Sequence, residues 1–160
     1  MRLQNQRDLL SVDPGVEGTG WAYFRNGIFK YAGTITPQGR DDQWVERMYS
    51  VANRFQSLVE LYPGLDYVVM ECPAFHGGVA GMVVASSGSL VKLSLLTGAL
   101  LNICRAKGFT PTLTKPAEWK GQLPKDVTKK RCEEILKTKL DGTDHACDAI
   151  GIGLWALGKF

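Results

Sequence analysis

The stretch LLSVDPGVEGTGWAYF, residues 9–24, constrains this chain more than any other. Leu9, Leu10 and Val12 form a short apolar run, suited to a strand buried on both faces. Asp13 ends that run, and Pro14-Gly15, Gly18 and Gly20 follow at once. A carboxylate at the tip of a buried strand is costly to desolvate unless positive charge meets it. The small residues beside it let another backbone or a ligand approach closely. Trp21 to Phe24 then restart a strand, and Asn26-Gly27 predicts a tight hairpin. The alternative is an ordinary turn in which Asp13 bonds its own backbone.

Beyond the hairpin, residues 28–35 (IFKYAGTI) read as a third strand, broken by Pro37 and Gly39. Asp41-Asp42 is expected to open a long amphipathic helix. Trp44, Met48, Val51, Phe55, Leu58 and Tyr62 recur along it every three or four residues, one apolar stripe facing a sheet. Pro63-Gly64 stops it. YVVM, residues 67–70, is another buried strand, and Glu71 at its end repeats the arrangement of Asp13. A Gly-rich loop with Phe75 and His76 follows. Residues 87–107 read as a helix apolar on more than one face, with Gly98-Ala99 suggesting close helix packing. A second subunit is one way to cover such a helix. A fifth strand is expected over 109–113, a charged helix over 125–139 and a last helix over about 143–157. Three strands in a meander, then alternating helices and strands, predict an α/β fold with a five-stranded mixed sheet. In open sheets of this kind ligands gather beyond strand ends, which is where Asp13 and Glu71 fall.

The 160 residues fit a single domain with an adequate core. Apolar residues make up 44% and charged residues 22%, as in ordinary soluble proteins. No apolar run reaches the roughly 18 residues a membrane helix needs. Residues 1–8 read as a polar leader without a signal peptide's apolar region, so a cytoplasmic location and no membrane partner are expected. Cys72, Cys104, Cys132 and Cys147 make no C-x-x-C pair, which argues for buried free thiols over a zinc ribbon or disulfide framework. The net charge of +3 says little about partners without the positions of the lysines.

Those positions matter because of the last helix, TDHACDAIGIGLWAL. His145 and Asp148 are three residues apart and Asp144 and Asp148 four apart, so all three can share one helix face. Buried carboxylates at ~4 Å repel by about 4 kcal/mol per pair at an effective dielectric of ~20. A hard divalent cation between them removes that repulsion. Two such ions roughly 3.5–4 Å apart suit in-line phosphoester cleavage. Asp144 has the alternative of an acid favoured at a helix N-terminus.

With these segments in view, the sequence resembles the RuvC-type Holliday-junction resolvases. The likeness lies in SVDPGVEGTGWAYF, in VVMEC after the long helix, in the helix beyond it, and in HACDAIGIGLWAL. It covers nearly the whole chain. It implies a ribonuclease H-like fold and a metal-dependent endonuclease of recombination and repair, cutting branched DNA, chiefly four-way junctions, as a homodimer; the alternatives are a broader nuclease that debranches flaps and forks, or a protein that binds junctions without cutting them. It implies Asp13, Glu71, His145 and Asp148 as the active-site set around two Mg²⁺ or Mn²⁺ ions, with Asp144 or His145 facing the metal. Lys115 falls where the family carries a lysine that supports catalysis. Pro116 and the pair Trp119-Lys120 look more like the bacteriophage branch. Phe75 falls where the family places aromatic residues that wedge into the junction.

Lys125, Lys129, Lys130 and Arg131 cluster at the start of the charged helix. They are either a solvated face or, with Lys120, a set of phosphate contacts.

Overall fold

The computed structural model describes residues 7–74 and 88–160. Among them, five strands form one mixed sheet: β1 (Leu9–Asp13), β2 (Thr19–Arg25), β3 (Ile28–Ile35), β4 (Tyr67–Glu71) and β5 (Thr112–Thr114). The spatial order is β3-β2-β1-β4-β5, antiparallel across the first three strands and parallel from β1 through β4 to β5. This is the architecture that the meander-then-alternation pattern predicts. Asn26 and Gly27 turn the hairpin with φ of 51° and 71°, the left-handed pair a two-residue turn demands.

β1 is central and buried along its length, because helices cover both faces of the sheet. Leu10, Val12, Val68 and Met70 pack on α1 (Trp44–Glu60) and α2 (Ser89–Ala106) through Val51, Phe55, Leu96 and Leu100. Leu9, Ala22, Phe24 and Val69 pack on α5 (Asp144–Ala156) through Ala149, Ile150 and Ile152. In the middle of β1 the Ser11 hydroxyl donates to the Ala149 carbonyl at 2.6 Å, tying α5 to the sheet. The short α3 (Pro116–Trp119) and α4 (Lys125–Leu136) complete the fold.

Several expectations shift. α1 begins at Trp44 because the side chains of Asp41 and Asp42 are taken up by Arg47 and Arg40 instead of capping a helix. Trp44 lies at the surface, with the Lys92 ammonium over its ring. β5 starts three residues late because Gly108 and Phe109 close the end of α2. The Phe109 amide donates to Cys104 and the Gly108 amide to Arg105, with Gly108 at φ 88°. α4 ends at Leu136 because Lys137 adopts the left-handed conformation. Among the described residues, and leaving aside its own stretch of helix, no atom lies within 4 Å of where a Cβ on Gly98 would sit, so no close helix packing is seen there. α2 is also long and apolar enough, by length and composition, to cross a membrane, contrary to the reading of apolar runs. Its Leu96, Leu100 and Cys104 face the core, while Val91 and Leu95 are 60% and 49% exposed. All four cysteines are free thiols, three of them buried and Cys72 half-buried.

Candidate active site

Strand alternation puts the acids on one face. Residues two apart along a strand point the same way. Leu9 and Ser11 face α5, so Asp13 does too, and Val69 on the same face carries Glu71 with it. Gly20 is paired with Asp13 across the hairpin. It leaves room for the first turn of α5, since a Cβ there would lie 1.9 Å from the His145 carbonyl oxygen. Thr143 caps that turn by accepting the Ala146 amide at 3.2 Å. His145 and Asp148 therefore arrive beside Asp13.

Each acid has a protein partner. His145 Nδ1 lies 2.8 Å from Asp13 Oδ2, so Asp13 is not the self-bonded residue of an ordinary turn. Trp119 Nε1 donates to Glu71 Oε2 at 2.6 Å. Lys120 Nζ donates to Asp148 Oδ2 at 3.1 Å. Burial pushes the Asp13 carboxyl up, against the pull of its hydrogen bond to His145; repulsion from Asp148 adds to the rise. Burial also lifts Glu71 to about 7, helped by repulsion from Asp13 and Asp148 and opposed by Trp119 and Lys120. His145 is raised by its bond to Asp13. Asp13 and Glu71 are thus each raised by burial and by a neighbouring carboxylate, and each is lowered by the Lys120 ammonium that bonds Asp148.

The sequence matches no protein-family model and no curated protein. The structure does resemble solved structures. RuvC from Thermus thermophilus in complex with a Holliday junction substrate superposes with a TM-score of 0.73, covering 92% of this chain and 90% of that one at 16% identity. A second Thermus thermophilus RuvC structure gives 0.67, with 92% and 91% coverage and the same 16% identity. The fold is RuvC-like. At that identity the RuvC likeness extends to the architecture, a ribonuclease H-like sheet flanked by helices, and the role of each residue has to be argued from its surroundings.

Within this RuvC-like fold, the acids are chemically suited to a hard cation: three carboxylates, two of them held above their ordinary range by burial and mutual repulsion. As they stand, no three His, Cys, Asp or Glu side chains among the described residues converge to ligate one ion. Oxygens of Asp13, Glu71 and Asp148 are engaged by His145, Trp119 and Lys120. Asp144 is exposed and pairs with Lys125 at 3.5 Å, so of the two neighbouring candidates it is His145 that meets the acids.

Lys115 is exposed on the N-terminal edge of α3; its amide donates to Glu118 at 2.7 Å. The lysine that reaches the acids is Lys120. Lys125 borders the site closely enough to lower the His145 pKa. Arg131 stacks on the ring of Phe160 at 4.7 Å, while Lys129 and Lys130 continue the basic side of α4. Phe75 and His76 lie outside the described residues. Trp119, the partner of Glu71, was absent from the sequence-based set. One signal points to it: Gly151, inside an apolar helix, marks a bulky neighbour.

Proposed function

We propose that this protein is a divalent-metal-dependent endonuclease that resolves four-way DNA junctions, hydrolysing phosphodiester bonds to leave 5′-phosphate and 3′-hydroxyl ends. One observation carries the reading: carboxylates from β1, β4 and α5 gather with an imidazole at one end of a RuvC-like sheet. Asp13, Glu71 and Asp148, with His145 beside them, would hold two Mg²⁺ or Mn²⁺ ions. Such ions supply charge neutralisation at the attacked phosphate and its leaving oxygen.

The chain's own groups account for the rest. With Nδ1–H donating to Asp13, the neutral ring of His145 keeps Nε2 to accept a proton from the attacking water. Trp119 fixes the Glu71 carboxylate and Lys120 compensates charge at Asp148. Lys125, Lys129 and Lys130 are the candidate phosphate contacts, joined by Arg131 from its stack on Phe160. Phe75 is assigned the junction wedge by the family resemblance alone. Kinship with the bacteriophage branch rests on Pro116 and the Trp119-Lys120 pair, and a cytoplasmic site of action goes with that reading. The exposed Val91 and Leu95 on α2 support a homodimer, whose twofold axis would match the near-twofold symmetry of a junction.

The test is cleavage of a synthetic four-way junction in Mg²⁺, beside D13N and D148N. Wild type should nick the junction and both variants should lose cutting by a factor of about a thousand, as when a charge-stabilising group is removed from a polar active site. Undiminished cutting by D13N would refute the assignment.

A further inference from the structure

Trp119 and Lys120 are consecutive residues, yet each reaches a carboxylate on a different element. Trp119 is 3% exposed, and its ring lies against Gly151 of α5, where a Cβ would come within 2.5 Å of the indole. The edge of Phe160 packs on it at 5.8 Å between centroids. That seat fixes the indole, and its N–H points at Glu71 of β4. The next side chain folds back so that the Lys120 ammonium lies 4.7 Å from the centre of the same indole and 3.1 Å from Asp148 of α5. The result is an unbroken run of contacts, Glu71–Trp119–Lys120–Asp148, that links two of the acids.

The two neighbours have opposite consequences for a cation. An indole N–H is a neutral donor and can never ligate a metal. By bonding Oε2 it orients Glu71 and leaves Oε1 available, as partners of metal ligands generally do. An ammonium is itself a cation, and its attraction for the Asp148 carboxylate competes directly with that of an incoming ion.

We propose that the Trp119-Lys120 pair sets the divalent-cation affinity of the acidic site. Trp119 is a positioning residue that aims Glu71, and Lys120 is a built-in counter-ion that a divalent ion must displace from Asp148. This rests on the metal-dependent reading above and deepens it.

The test is Mn²⁺ binding to the whole protein by titration calorimetry, with melting temperatures measured alongside. W119F removes the donor together with part of the ring that lies against Gly151, a packing loss the melting temperature reports separately; its affinity should fall about tenfold. K120M should bind about two- to fivefold more tightly, the worth of a partly exposed ion pair. The opposite signs are decisive, since a pair that merely packs would weaken binding in both variants. Unchanged affinity in W119F, or weaker binding in K120M, overturns the proposal. A measurement on the unmodified protein covers the case of a variant that fails to fold: the Trp119 indole N–H resonance should move during Mg²⁺ titration in step with calorimetric binding. A static resonance during binding also overturns it. If wild type takes up no Mn²⁺, the metal-dependent reading falls as well. Wild-type binding that is lost in D148N, with W119F and K120M unaffected, removes this inference alone.

Discussion

Replacing Gly20 with alanine tests the physical core of the site assembly. Gly20 pairs with Asp13 on the sheet, and a Cβ added there would meet the His145 carbonyl oxygen at 1.9 Å and its carbonyl carbon at 2.3 Å. Ordinary contact begins at 3.4 Å, and the obstructing atoms are backbone, so no side-chain rotation relieves the clash. The first turn of α5 has to retreat from β2, and His145 retreats with it from Asp13. Overpacking a core usually costs about 1–3 kcal/mol, and a clash with backbone belongs at the upper end. For a domain of this size about 3 kcal/mol is a loss of about 6–12 °C in melting temperature. The assay is thermal unfolding by circular dichroism, paired with an NMR titration of His145. G20A should melt lower by that amount. His145, raised in the wild type by its bond to Asp13, should titrate closer to its ordinary 6.5. G98A is the counterpart: helical and exposed, with no described atom outside its own stretch of helix within 4 Å of a Cβ, it should gain about 0.5–1 kcal/mol. A G20A protein that melts within about 2 °C of wild type and keeps the His145 titration would refute the close-approach argument.

Stability should fall as pH rises from about 5 to 8. Glu71, lifted from 4.5 to about 7, retains a proton in the folded chain that the unfolded chain has lost, and the raised Asp13 acts in the same direction. His145 agrees in sign, its contribution being complete below 6.5 and lost as pH passes its raised folded value. E71Q should flatten the slope, and a melting temperature that climbs across this range would contradict the electrostatics. At alkaline pH, Mg²⁺ at about a hundredfold over its Kd should stabilise the protein by about 2.7 kcal/mol, or about 5–10 °C. D148N should abolish that shift in a fluorimetric melt; a full shift in the variant would exclude Asp148 as a ligand. Charge on the exposed face of α2, introduced as L95E, should leave the melting temperature of the monomer nearly unchanged and convert a dimer to monomer in sedimentation. A sedimentation coefficient equal to that of wild type would rule out this face as the interface.

Much of the site was legible in the residue order. An apolar run ending in Asp13, a second ending in Glu71, and His145 three residues before Asp148 on one helix face all rest on local periodicity. The hairpin at Asn26-Gly27 is equally local, because two consecutive left-handed residues are a property of the dipeptide. The pairing of Trp119 with Glu71 was illegible, since nothing in PAEWK distinguishes a tryptophan that donates to a carboxylate from one that fills a core. The bond of Lys120 to Asp148 is illegible for the same reason: a lysine's partner depends on what the fold brings within its reach. The late start of β5 is intermediate, decided by a cap at Gly108 whose hydrogen bonds need only the preceding turn of helix.

Sequence order carries the strand tips and helix faces, because those depend on neighbours within one or two turns of chain, while the start of α1 at Trp44 is decided by the ion pairs of Asp41 and Asp42. Tertiary packing alone selects His145 over Asp144 as the companion of Asp13, and Lys120 over Lys115 as the lysine among the acids. Those contacts join residues 132 positions apart for His145 with Asp13, 48 for Trp119 with Glu71 and 28 for Lys120 with Asp148. Across such separations a hydrogen bond of about 3 Å is met only after helices and strands have docked, and the docking distance is set by side-chain volume, here by the missing Cβ atoms of Gly20 and Gly151.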